Sequence, residues 1–189
     1  DGTSNRTLDN HNDLTLPLLA PTSVAFDSSG KLYVANQNGA NILRYNSATD
    51  SFSEFVPVLS GGLTIPTDLT FGADQKLYVV DGQTSDPKIL RYNSNGTFDQ
   101  LLIDFGQTTF QPWGLVFGPD GKLYVSGTDL AAPSPDPGRV LRYLSDGTPD
   151  GTFVSSGLAS PTFLTFVPEP TGLLGCFGML LLGARRRQT

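Results

Sequence analysis

The sequence holds one cysteine, Cys176, and one histidine, His11, in 189 residues. A single thiol excludes an intrachain disulfide, and Cys176 sits in an apolar run where it reads as a small hydrophobe. The redox compartment stays open, because oxidising compartments permit disulfides without requiring them. One histidine excludes a zinc centre built on histidines. A Ser-His-Asp arrangement would have to be assembled around His11 in the first segment, where the residue reads as part of a loop. Asp1-Gly2-Thr3-Ser4, on which the chain opens, does not read as a targeting segment, and a secretory signal is expected in a preceding part. Helical periodicity is missing from most of its length.

Positive charge is also scarce. The net charge is −6, and three of the cations are Arg185, Arg186 and Arg187 at the extreme end. An acidic surface repels phosphate backbones, so no nucleic-acid partner is expected. Such a charge serves solubility. What the chain has in quantity is turn-forming residues, 21 glycines and 14 prolines, with 10% aromatics for a core. That balance reads as an all-β protein with many turns.

Self-similarity is plain. Pro21-Thr22-Ser23-Val24-Ala25-Phe26 returns as Pro66-Thr67-Asp68-Leu69-Thr70-Phe71, Pro112-Trp113-Gly114-Leu115-Val116-Phe117 and Pro161-Thr162-Phe163-Leu164-Thr165-Phe166. The starts give periods of 45, 46 and 49 residues, enough for four short strands and their turns. In the first strand Val24 and Phe26 share one face of the pleat. A tight turn such as Ser28-Ser29-Gly30 or Pro119-Asp120-Gly121 leads to a Lys-Leu-Tyr-Val strand, then Leu-Arg-Tyr, then an outer strand such as Phe52–Val56 or Phe98–Ile103. Tyr33, Tyr78 and Tyr124 recur once per unit, as do Arg44, Arg91 and Arg142. Recurrence in register marks framework, since an active site breaks the symmetry of a repeat.

These units resemble blades of the NHL and SMP-30/gluconolactonase-like β-propellers. The fold class expected is therefore an all-β partial propeller of about three four-stranded blades, with incomplete end blades and a C-terminal hydrophobic helix. Residues 1–20 read as the remnant of a preceding blade, because Asp1-Gly2-Thr3 matches Asn95-Gly96-Thr97 and Asp146-Gly147-Thr148. The blades span 21–65, 66–111 and 112–160, with another starting at 161–166. Three blades are too few to close a ring, so the chain reads as the C-terminal part of a longer protein.

The resemblance also implies where a divalent metal would sit. In lactonase-type members an amide or carboxylate ligand follows the proline that opens a blade. Here those positions hold Thr22, Thr67, Trp113 and Thr162, so the ligands look missing. Asp68 lies one place further on and is expected on the opposite side of the strand. Asn36 and Asp81 end their strands, but Gly127 fills the third equivalent. No catalytic, cofactor-binding or metal-ligating residue is assigned, and a divalent metal would need ligands from further blades. The loop Ala131–Gly138 reads as an exposed variable insertion.

After Phe166 the pattern changes to Val167-Pro168-Glu169-Pro170, an apolar stretch from Thr171 to Ala184, and Arg185-Arg186-Arg187. As a helix the 14 apolar-stretch residues reach roughly 21 Å, short of a bilayer core of about 30 Å. The arginines suit a cytoplasmic stop. This order resembles the PEP-CTERM sorting domain of Gram-negative bacteria, here over residues 167–189. The resemblance implies an exosortase-type membrane enzyme as partner and processing near Pro168-Glu169-Pro170. It also implies transient membrane insertion of the tail and export to the cell surface or extracellular matrix, in organisms often rich in exopolysaccharide. The functional expectation is a non-enzymatic surface propeller that serves as a binding or scaffold module, with surface polysaccharide or protein as its partner. The alternative is a secreted lactonase or lyase whose active-site residues lie in further blades.

Overall fold

The computed structural model describes residues 16–82, 84–106, 110–132, 137–167 and, for the backbone alone, 178–182. Three four-stranded antiparallel sheets follow one another, each in simple chain order. The first contains β1 (Pro21–Phe26), β2 (Leu32–Asn36), β3 (Asn41–Asn46) and β4 (Ser51–Val56). The second contains β5 (Pro66–Phe71), β6 (Leu77–Asp81), β7 (Lys88–Tyr92) and β8 (Phe98–Asp104). The third contains β9 (Phe110–Phe117), β10 (Leu123–Asp129), β11 (Gly138–Tyr143) and β12 (Pro149–Leu158). These are the expected propeller blades, and β9 starts just ahead of Pro112.

Short hairpins set the register. At the first-to-second hairpins, Asp74 Oδ1 and Asp120 Oδ1 each accept the backbone N–H of the following lysine at 3.1 Å. At the third-to-fourth hairpins, Asn95 Oδ1 and Asp146 Oδ1 accept the N–H of Thr97 and Thr148 at 3.1 and 2.9 Å. Gly96 and Gly147 follow with φ of 86° and 88°, the left-handed region that costs glycine nothing. A methyl group at either position would also overlap a carbonyl oxygen of the preceding blade, that of Phe55 or of Leu102. The Asx-Gly-Thr motif is thus both a turn and a blade contact.

Blades pack through the apolar pair on each first strand. Leu69, Leu115 and Leu164 are buried against the preceding blade, at 3%, 3% and 8% exposure. Beside them Phe71, Phe117 and Phe166 meet Tyr33, Tyr78 and Tyr124 edge-on, with ring centroids 4.8, 4.9 and 5.0 Å apart. Each such pair adds about 0.5–1.5 kcal/mol beyond area burial. The tyrosine hydroxyls donate to Asp27, Asp74 and Asp120 at 3.0–3.1 Å. On β1 the same pair is uncovered: Val24 is 57% exposed and Phe26 63%.

The end of the chain departs from the expected helix. Gly178–Leu182 forms β14, antiparallel to β13 (Phe163–Val167), with Phe163 opposite Leu182 and Val167 opposite Gly178. An isolated 14-residue helix is marginal, whereas β13 offers a row of backbone donors and acceptors that a second strand satisfies. No helix among the described residues is long and apolar enough to cross a membrane.

Equivalent positions should therefore differ sharply in cost. Leu69→Ala or Leu115→Ala is expected to lower stability by about 2–5 kcal/mol in urea unfolding. Val24→Ala should stay within about 0.5 kcal/mol. Equal losses at Val24 and Leu69 would contradict the packing described.

Candidate functional site

Antiparallel order places the first-to-second and third-to-fourth hairpins at one end of every blade. The second-to-third loops and the connections to the next blade lie at the other end. Polar residues gather at both ends, with different consequences.

At the loop end, the side chains that terminate the second strands already hold backbone. Asp81 is fully buried and accepts from Ile65 N at 2.8 Å, Thr64 N at 3.0 Å and the Thr64 hydroxyl at 3.1 Å. Lys88 Nζ lies 3.9 Å away and pairs more closely with Asp86. Asn36 Oδ1 accepts from Leu19 N at 2.5 Å, and its amide donates to Asn41 Oδ1 at 2.9 Å. Both residues therefore fix the segment that enters their own blade. Gly127 cannot do this, and Asp129, two residues on, accepts from Ala131 N at 2.9 Å and from Arg139 at 2.8 Å. The repeat alignment missed Asp129 because β10 runs longer than β6.

The blade-opening positions Thr22, Thr67 and Trp113 fall where the first-to-second strand register shifts. Each is the unpaired residue of a bulge, which re-aims its side chain. Thr22 donates to the Pro66 carbonyl at 3.0 Å, and Trp113 Nε1 donates to Thr128 Oγ1 at 3.3 Å. Thr67 Oγ1 is buried without a hydrogen-bond partner among the described residues. Thr162 contributes its carbonyl, which accepts from Ser126 Oγ at 3.4 Å.

Asp68 ties three blades together. Its carboxylate accepts from Ser23 Oγ on β1 at 2.5 Å, from Leu115 N on β9 at 2.8 Å and from its neighbour Leu69 N at 2.9 Å. Burial pushes the Asp68 carboxyl up to about 6 from 3.8, against the lowering effect of those three bonds. Among the described residues no group of three His, Cys, Asp or Glu side chains is placed to hold a metal ion. His11, Cys176, Pro168, Glu169, Pro170, Arg185, Arg186 and Arg187 lie outside the described residues, while Val167 ends β13 with its side chain exposed.

At the hairpin end, charge pairs brace the outer strands. Asp99 Oδ2 takes Lys76 Nζ at 3.0 Å and Arg91 Nε at 2.6 Å, and these cations hold its carboxyl below the ordinary carboxylate range. Asp150 repeats this with Lys122 at 2.8 Å and Arg142 at 2.6 Å. In the first blade, where Ser53 faces Arg44, the guanidinium lies 5.8 Å from the Phe55 ring centroid instead. Between the second and third blades this end opens into a cleft of about 380 Å³. Gly72, Ala73, Gly118 and Gly121 make its walls, and Phe117 and Tyr78 its aromatic part. Asp74, Arg91, Ser145 and Asp146 supply the polar groups. The sequence reading assigned no role to this constellation.

The buried carboxyl gives a signed pH dependence. Between about pH 4 and 6 the folded chain binds a proton at Asp68 that the unfolded chain releases, so stability falls as pH rises through that window. The wild-type chain should gain stability relative to Asp68→Asn as pH is lowered from 7 to 5, by about 1 kcal/mol. Urea unfolding at each pH checks this, and parallel curves for the two proteins would contradict it.

Comparison with known proteins agrees on the fold. A family described as a domain of unknown function (DUF5122) beta-propeller matches residues 73–100 and 118–153. Among curated proteins no sequence matches the chain. Several solved structures do match in shape. A PQQ-bound aldose sugar dehydrogenase from Streptomyces coelicolor superposes with a TM-score of 0.60 at 21% identity, covering 85% of this chain and 54% of that one. A gluconolactonase from Xanthomonas campestris gives 0.59 at 19% identity, covering 79% and 55%. An inactive virginiamycin B lyase from Staphylococcus aureus, solved with quinupristin, gives 0.57 at 17% identity, covering 80% and 47%. The chain thus spans about half the length of these structures, and likeness at such identities speaks to fold alone. The chain carries a β-propeller domain with structural neighbours among the gluconolactonase-like and lyase propellers.

Proposed function

We propose that this chain is part of an exported cell-surface β-propeller that acts as a binding or scaffold module, carried to the surface of a Gram-negative bacterium by a PEP-CTERM tail. The observation that carries the binding reading is the commitment of the loop-end polar groups. Asn36, Asp81 and Asp129 each hold backbone of an adjoining loop. A carboxylate whose lone pairs already hold loop amides is poorly placed to bind a metal or move a proton.

The tail supports the sorting reading through the order of Val167, Pro168, Glu169, Pro170, an apolar stretch, and Arg185, Arg186 and Arg187. The arginines would stay on the cytoplasmic side while an exosortase-type membrane enzyme processes the Pro-Glu-Pro segment. The tail then inserts in the membrane transiently, and the propeller faces surface polysaccharide or protein. No resident cofactor is assigned.

The second reading is a secreted SMP-30-like lactonase or propeller lyase with its active site in further blades. It is favoured by the superposition on the Xanthomonas campestris gluconolactonase and on the lyases. Metal-dependent lactone hydrolysis by the full-length protein would decide for it.

Surface delivery tests the leading reading. Replacing Arg185, Arg186 and Arg187 together with glutamate should reduce surface display by about tenfold or more, because the charge that fixes tail orientation is reversed. Display can be quantified by antibody labelling of intact cells against total protein. Undiminished labelling would refute the sorting role.

A further inference from the structure

β14 pairs with β13 in the register that a blade uses for its first two strands. In the complete blades Phe26, Phe71 and Phe117 stand opposite Leu32, Leu77 and Leu123, and the following residues pair in step. On β13, Phe166 stands opposite Met179, Thr165 opposite Leu180, Leu164 opposite Leu181 and Phe163 opposite Leu182. Met179-Leu180-Leu181-Leu182 therefore takes, position for position, the place of Leu77-Tyr78-Val79-Val80 and of Leu123-Tyr124-Val125-Ser126. A first-to-second turn spans five residues, 72–76 or 118–122, whereas 12 residues, 167–178, separate Phe166 from Met179. The register is kept although the connection is not, so strand pairing sets it rather than the turn. Composition fits the place as well. Those second-strand residues of the second and third blades are at most 4% exposed, and a strand covered on both faces reads as an unbroken apolar run. The tail supplies such a run from Met179 to Leu182. β13 is positioned to receive it because Leu164 and Phe166 pack on the third blade.

We infer that the last blade shelters the apolar tail as a strand, and that the tail leaves this place to enter a membrane. The membrane half rests on the sorting reading above. The two states exclude each other on physical grounds. In the two-stranded sheet of β13 and β14, one edge of β14 has no neighbouring strand among the described residues, and water satisfies the amides and carbonyls there. A bilayer core offers no such partners, so a segment entering it alone turns helical and satisfies its backbone within itself. The same residues cannot be β14 and a membrane helix together. Docking thus holds on the protein an apolar stretch that invites aggregation when free, until a membrane competes for it.

A cross-link traps one state. In a Cys176→Ala background, Thr165→Cys with Leu180→Cys places two thiols at directly opposed positions, within reach of a disulfide. Thr165→Cys with Leu181→Cys is the control, because neighbouring residues of a strand point to opposite faces. Oxidation of the full chain should cross-link the first pair and leave the second reduced, as read by mass spectrometry. Each state of the first variant is then floated with vesicles of phosphatidylethanolamine and phosphatidylglycerol. The reduced chain should partition into the vesicles. Oxidation should lower the bound fraction by about tenfold or more, and reductant should restore it. Cross-linking of the control pair, or of neither pair, would overturn the docked strand; vesicle binding by the reduced chain would then leave the sorting reading standing. A cross-linked chain that binds as well as the reduced one would overturn the exclusion of one state by the other. Cross-linking in register with no binding after reduction would overturn the exchange with the membrane, while the display assay reads the sorting role separately.

Discussion

The contact on which this structure depends is the fit of each first strand against the blade before it. A leucine is buried and a phenylalanine two residues on meets a tyrosine of the preceding blade edge-on, three times over. A four-stranded sheet has two faces and covers neither by itself, so each blade is stable only as a member of a stack. The hairpin glycines serve the same contact. Gly96 and Gly147 let a turn tip rest on the carbonyl row of the preceding outer strand. Val24 and Phe26 present this packing unit with its partner face open.

Polar groups divide by end. At the loop end they are internal ties: Asp81 fixes the entry to its own blade, Asn36 does likewise, and Asp68 joins three inner strands. These bonds order the inner strands, and their satisfied lone pairs leave little for catalysis. At the hairpin end, Asp99 and Asp150 each gather a lysine and an arginine. Between the second and third blades this end opens into a cleft.

A propeller fold serves scaffolds, binders and enzymes alike, so the neighbours in fold space carry no assignment by themselves. The framework pairs Tyr78–Phe117 and Arg91–Asp99 stand beside the cleft between the second and third blades.

What the sequence determined alone is the repeat and what the repeat requires. The Val24/Phe26 alternation, the Leu-Tyr-Val strand, the Leu-Arg-Tyr strand and the Asx-Gly-Thr turn placed four strands per unit, because strand periodicity and turn chemistry are local properties. It also marked Tyr33, Tyr78 and Tyr124 as framework. Tertiary structure decided the rest. The bulges at Thr22, Thr67 and Trp113 arise from cross-strand register, which one strand does not encode. Asp68 owes its raised carboxyl to burial where the blades meet, and its partners Ser23 and Leu115 lie 45 and 47 residues away. The strand at Gly178–Leu182 replaces the expected helix because β13 offers an edge to pair with. The cleft exists only where two blades meet, so residues that look unremarkable along the chain become a wall once the blades are side by side.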